Sequence, residues 1–150
     1  MRLTVHTDYT LRVLMYLALK EDRLATIAEI ATSYGISKNH LMKVAHELGV
    51  AGYVETVRGR GGGLRLAKPV KSIGLGDVVR YTEPDMALVS CFEPVNAPCA
   101  IHPGCVLKRA LKKAADAFIE VLDGYTLQDL VRPRGKLAGL LDIRNGDVLR

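Results

Sequence analysis

Cys91, Cys99 and Cys105 are the only cysteines in the chain, and all three fall in one short stretch, CFEPVNAPCAIHPGC. Thiolates are soft donors suited to zinc or to the iron of iron–sulfur clusters, and such centres normally take four ligands. An odd number of cysteines cannot pair off completely as internal disulfides. The spacing leaves several readings open. His102, between Cys99 and Cys105, would complete a Cys3His zinc set, or it only caps the loop. The trio would equally suit an iron–sulfur cluster with a fourth ligand from elsewhere. A redox switch is a third reading, and plain buried thiols a fourth that a Pro-rich loop disfavours. From spacing alone, zinc and iron–sulfur are nearly balanced.

The elements that must position these groups follow from periodicity. Thr7 and Asp8 resemble a helix start, with Leu11, Leu14, Met15 and Ala18 at helical spacing behind them. Thr26 and Glu29 form a capping-box pattern before a short helix, TIAEIA, that ends at Gly35. A third helix starts at Ser37 and places Leu41, Val44, Ala45 and Leu48 on one face. The period then changes to two: Tyr53 to Val57 is a strand, Arg58 to Gly63 a glycine-rich tip, and Leu64 to Leu66 the returning strand. Leu75 to Tyr81 reads as a further short helix. Residues 84–104 carry Pro84, Pro94, Pro98 and Pro103 with the cysteines, and are expected as loop. A long amphipathic helix follows, with Leu107, Ala110, Leu111, Ala114, Phe118, Val121 and Leu122 as an apolar stripe expected to pack against a second copy. Thr126 caps a final short helix.

Helix, helix, turn, helix and basic hairpin is the order of a winged helix-turn-helix. The fold class expected is therefore mainly α with a small β-hairpin, a winged helix-turn-helix domain plus a long dimerisation helix. In such a fold the second helix of the pair enters the major groove. Ser37, Lys38, Asn39 and His40 would lead it, with Lys43 one turn on; Ser and Asn bond base edges, and Lys suits phosphate or guanine. Arg58, Arg60 and Gly61 would form a wing able to enter a minor groove or follow the backbone. A formal charge of +5 is compatible with a nucleic-acid partner without establishing one. No phosphate loop, nucleophile elbow or acid–base pair points to an enzyme. No apolar run is long enough for a membrane span, and a cytoplasmic location is expected.

The run ISKNHLMKVAHELGVAGYVETVRGRGGGLRLAK resembles the winged-helix domain of the Rrf2 (Rrf-two) family of bacterial transcription regulators. CAIHPGCVLKRALKKAADAFIEVLDGYTLQDLV resembles that family's iron–sulfur-sensing, nitric-oxide-responsive branch, and MRLTVHTDYTLRVLMYLA fits the same group. The resemblance covers about residues 1–132. Leu64 stands where the family usually has an aromatic, and the gap between Cys91 and Cys99 is longer than this branch commonly shows.

The resemblance implies a 2Fe–2S or 4Fe–4S cluster on Cys91, Cys99 and Cys105, closed by a non-cysteine ligand near the N-terminus of the partner subunit, a position matched by Asp8. By itself, Asp8 is an acid that meets the dipole of a helix start. The resemblance also implies a homodimer on a pseudo-palindromic operator, repressing until nitric oxide attacks the cluster. A relative sensing iron, redox state or cluster supply is the alternative, and a zinc-bound DNA-binding protein a further one. The long helix carries Lys108, Arg109, Lys112 and Lys113 first and Asp116, Glu120 and Asp123 later, the reverse of what its dipole favours. Those bases would offset an anionic cluster, or face solvent or DNA phosphates. The expected organisation is a DNA-binding domain over 1–83, a cluster loop over 84–104, dimerisation and docking helices over 105–132, and a mobile tail over 133–150.

Overall fold

The first helix, α1 (Val5–Lys20), begins earlier than Thr7 and Asp8 suggest. Thr4 caps it: its Oγ1 accepts from Thr7 N–H at 3.2 Å and its carbonyl from Asp8 N–H at 3.1 Å. The computed structural model describes residues 1–20, 23–92 and 99–143, so Pro94 and Pro98 of the expected loop lie outside the described residues. The second helix, α2 (Ile27–Tyr34), starts with the expected capping box. Thr26 Oγ1 accepts from Glu29 N–H at 3.1 Å, and Glu29 Oε2 accepts from Thr26 N–H at 2.6 Å. Gly35 turns the chain into α3 (Lys38–Val50), whose Leu41, Val44, Ala45 and Leu48 are buried as their spacing requires.

Strand β1 (Val54–Val57) pairs antiparallel with β2 (Gly63–Leu66), Val54 opposite Leu66 and Thr56 opposite Leu64. Ala25 extends the hairpin through two bonds to Leu64, of 2.9 and 2.8 Å. Leu64 is only 3% exposed, so the residue that replaces the usual aromatic is a core side chain beneath the wing. The tip admits no side chain at Gly62, where a Cβ would lie 2.2 Å from the Val57 carbonyl oxygen. This is a winged helix.

Behind the wing come α4 (Leu75–Thr82), α5 (Val106–Asp123), α6 (Leu127–Leu130) and α7 (Arg134–Leu140). Between α4 and α5, Ser90–Phe92 and His102–Gly104 form single 3-10 turns. The core gathers around α1, whose Val13, Leu14, Leu17 and Leu19 are buried and which packs on α3, α4, α6, α7 and β2.

Two further expectations need correction. The tail expected to be mobile forms α7, and Ala138 and Ile143 are buried against the core. Arg134 donates to the Ala18 carbonyl at 2.8 Å, and Ser33 Oγ donates to the Leu141 carbonyl at 3.0 Å. The segment is too short and glycine-rich to show a strong helical period, and tertiary burial decides its state. The rest of the tail, 144–150, lies outside the described residues. The apolar stripe of α5 is the second correction: it is two stripes. Leu111, Phe118 and Leu122 are half-buried, whereas Leu107, Ala110, Ala114, Ala117 and Val121 are exposed.

The capping box carries a pH signature. Burial pushes the Glu29 carboxyl up, but bonds from Lys20 and Thr26 outweigh it and hold it below the ordinary 4.5. A carboxylate depressed in the folded chain contributes stability that is present above the unfolded value and lost as pH falls through the folded one. Glu29→Gln is therefore expected to flatten the acid side of the stability–pH curve, measured by urea unfolding between neutral pH and pH 3, roughly, with the larger loss at neutral pH.

Candidate functional site

The residues expected to face DNA lie on the surface of the helix-turn-helix and wing. Ser37, Lys38, Asn39, His40 and Lys43 are all exposed on the first turns of α3, and Arg58, Arg60 and Gly61 are exposed at the hairpin tip. Gly61 has φ 73°, a left-handed conformation that suits glycine. His40 is not wholly free, since its ring lies 5.9 Å from that of Tyr9 on α1. Met42 joins the same face, 56% exposed, and the sequence reading passed over it. Its signal was the helical offset from Lys38 and Asn39 without a place in the buried set.

Asp8 lies in the first turn of α1, half-buried. Both its oxygens are held by Arg12, at 3.1 Å from Nε and 2.9 Å from Nη2. The Arg12 guanidinium in turn sits 5.6 Å above the ring of Tyr34, the last residue of α2 before the turn into α3. Burial pushes the Tyr34 phenol up to about 12, and Arg12 opposes that rise. Asp8 is thus linked to the helix-turn-helix corner through two side chains. The i, i+4 spacing of Asp8 and Arg12 could have shown the first link from sequence.

Cys91 is half-buried in a 3-10 turn, Cys99 is exposed, and Cys105 is the N-cap residue of α5; all three are free thiols. Cys105 Sγ accepts from Lys108 N–H at 3.3 Å, so sulfur takes the acceptor role at a helix N-terminus. Among the described residues, no three Cys, His, Asp or Glu side chains converge on one point. Along the chain the trio stays within residues 91–105, and Asp8 of the same chain does not join it in a three-ligand group among the described residues. The donor chemistry nonetheless fits a thiolate-bound iron–sulfur cluster. A zinc set would need His102, whose Nε2 lies 2.8 Å from Lys108 Nζ.

The reversed charge order of α5 resolves into local pairs. Lys112 bonds Asp116 at 2.9 Å, and Lys108 faces His102, so neither lysine stands unpartnered on the cysteine side. At the far end, Asp123 receives two bonds from Arg80 of α4, of 2.7 and 2.6 Å. This pair holds the Asp123 carboxyl below its usual range and secures the acidic end of α5. Gly76 makes room for it: a Cβ there would lie 1.9 Å from Asp123 Oδ1.

Comparison with known proteins gives the arrangement a context. Residues 3–133 match the family described as Rrf2, iron-dependent transcriptional regulator. The HTH-type transcriptional regulator NsrR of Bacillus licheniformis is 52% identical over 142 residues, covering 94% of this chain and 99% of that protein. Its counterpart in Bacillus subtilis is 50% identical over 145 residues, covering 96% and 99%. Among solved structures, the global cysteine regulator CymR of B. subtilis superposes with a TM-score of 0.70 at 30% identity, covering 87% of this chain and 95% of that one. T. potens IscR does so with a TM-score of 0.70 at 25% identity, covering 97% and 94%.

Proposed function

The chain belongs to the Rrf2 family, whose members are transcriptional regulators and not enzymes, and on that premise we propose an iron–sulfur-dependent, nitric-oxide-sensitive repressor that binds a pseudo-palindromic operator as a homodimer. The observation that carries this reading is the dual use of α5. Cys105 caps its start, and its length exposes an uncovered apolar seam.

That seam argues for a second copy as its occupant. Leu107, Ala110, Ala114, Ala117 and Val121 alternate offsets of three and four, the heptad rule of two helices that wrap around each other. Leu107 and Val121 are 64% and 62% exposed, and no residue of this helix is buried. The alanines permit close approach of two such helices. A two-fold pair would carry two α3 helices and two wings, matching a pseudo-palindrome. Lys38, Lys43, Arg58 and Arg60 would hold phosphates, Asn39 and Ser37 would meet base edges, and Met42 would suit a thymine methyl.

Cys91, Cys99 and Cys105 of one protomer, with Asp8 of the other, would hold the cluster. When bound, it supplies iron that reacts directly with nitric oxide. The chain's own part is positional: Asp8 chooses between the guanidinium of Arg12 and a ligand role, and Arg12 rests on the corner that aims α3. A change in ligation is thereby felt where DNA is read, and the operator is released. Nitric oxide as the signal rests on the cysteine segment's resemblance to the nitric-oxide-responsive branch. The same site would also serve a sensor of iron, redox state or cluster supply. Such a regulator would act in the cytoplasm.

Anaerobic purification is expected to give a coloured protein with iron and sulfide, whereas zinc alone would sink the cluster. Gel shifts on that material should lose the operator band on stoichiometric nitric oxide; unchanged binding would point to one of the other signals. For the DNA face, Arg60→Ala is expected to weaken operator and unrelated DNA alike and to lower the salt slope by about 1. Asn39→Ala should cost about 1–3 kcal/mol on the operator alone. Ala114→Glu, at the centre of the seam, should yield monomers by sedimentation with the circular dichroism of the fold retained.

A further inference from the structure

Glu83 stands where three parts of the molecule meet. It ends α4, donating its N–H to the Val79 carbonyl at 2.9 Å, and its extended backbone sends the chain through Pro84 toward Cys91. Its carboxylate turns the other way, to the start of α1. One oxygen, Oε1, accepts from Thr4 N–H at 2.8 Å, Thr4 Oγ1 at 3.1 Å and Thr7 Oγ1 at 2.5 Å. Thr7 is fully buried, and its hydroxyl also lies 2.9 Å from that of Thr82. Glu83 is thus a cap supplied to α1 from 79 residues away, an acid at a helix N-terminus where free N–H groups and the dipole favour it. Burial pushes the carboxyl up, but the bonds from Thr7 and Thr4, with His6 nearby, hold it below the ordinary range. Beside it, a cavity of about 370 Å³ is lined by Met1, Leu3, Met86 and Leu88, with Phe118 bringing α5 to the same junction.

Asp8 follows Thr7 directly, and its N–H is bonded to the Thr4 carbonyl. The position of Asp8 is therefore referenced, through two threonines, to the root of the chain's own cysteine segment. We infer that Glu83 is a positioning residue that couples the two cluster sites of the dimer. The inference rests on the function proposed above, in which Asp8 of one protomer completes the site of the other. Each chain's cysteines then serve one cluster and its Asp8 the other. The Glu83 carboxylate and the Thr4 and Thr7 hydroxyls are the link between them inside one chain. Loss of one cluster frees a cysteine segment, loosens the start of the attached α1, and weakens Asp8's hold on the second.

The test is the distribution of cluster-loaded dimers. The full chain is reconstituted anaerobically, titrated with nitric oxide to half loss, and measured by native mass spectrometry. The wild type is expected to hold about fivefold fewer one-cluster dimers than independent sites would give. Thr7→Val, which keeps shape and removes the hydroxyl, and Glu83→Ala should both restore the independent distribution. A general loss of stability would not produce that change, and Thr7→Val carries the test if Glu83→Ala does not fold. An independent distribution already present in the wild type, or a depletion kept by both variants, overturns the inference alone. A wild type that binds no cluster overturns the underlying functional reading, and this inference with it.

Discussion

Everything in this molecule is referenced to the burial of one helix. Val13, Leu14, Leu17 and Leu19 of α1 are sealed in the core, and the same helix touches the α3 that faces DNA, the β2 strand of the wing, α4, α6 and the C-terminal α7. Close-packed interiors resist continuous deformation and transmit displacement. A helix in that position cannot shift at one end without disturbing several neighbours. Toward its start, Thr4, Thr7, Asp8 and Arg12 make directed polar contacts to different parts of the chain. The buried half gives rigidity, and the polar start is where a small chemical change can enter.

The second organising element, α5, solves a different problem. Its charges run against its dipole, and within a single helix that order is unfavourable. Pairing relieves it: Lys112 with Asp116 along the surface, and Asp123 with Arg80 across to α4. Surface pairs contribute little stability individually. The Arg80 pair is bidentate and seated over Gly76, so it also fixes where the far end of α5 lies. With that end anchored and one face half-buried on its own chain, the helix is left with an exposed seam of small residues and a cysteine at its start.

Much of this was legible in the residues. The change from a period of 3.6 to a period of two located the hairpin, and the Thr26–Glu29 pattern and Thr126 marked helix starts that the hydrogen bonds bear out. The exposed leading face of α3 followed from its buried complement of Leu41, Val44, Ala45 and Leu48. The α1 start was misplaced because a threonine followed by an acid is a common cap, while Thr4 shows its role only through its bonds. The tail was misjudged because Ala138 and Ile143 carry a weak local pattern, and the segment's burial comes from packing of α7 on α1.

What the sequence by itself determined is whatever depends on nearest neighbours along the chain: helix periods, caps, the glycine tip of the wing, and three thiols confined to one stretch. Local sterics and short-range hydrogen bonds write those features directly into residue order. Only the tertiary structure decided which face of α5 turns inward, that Leu64 fills the core beside Ala25, and that the acid closing α1 is Glu83. Those outcomes come from groups that meet across tens of residues. Their partners are chosen by packing around α1, and no local pattern in the chain can announce them.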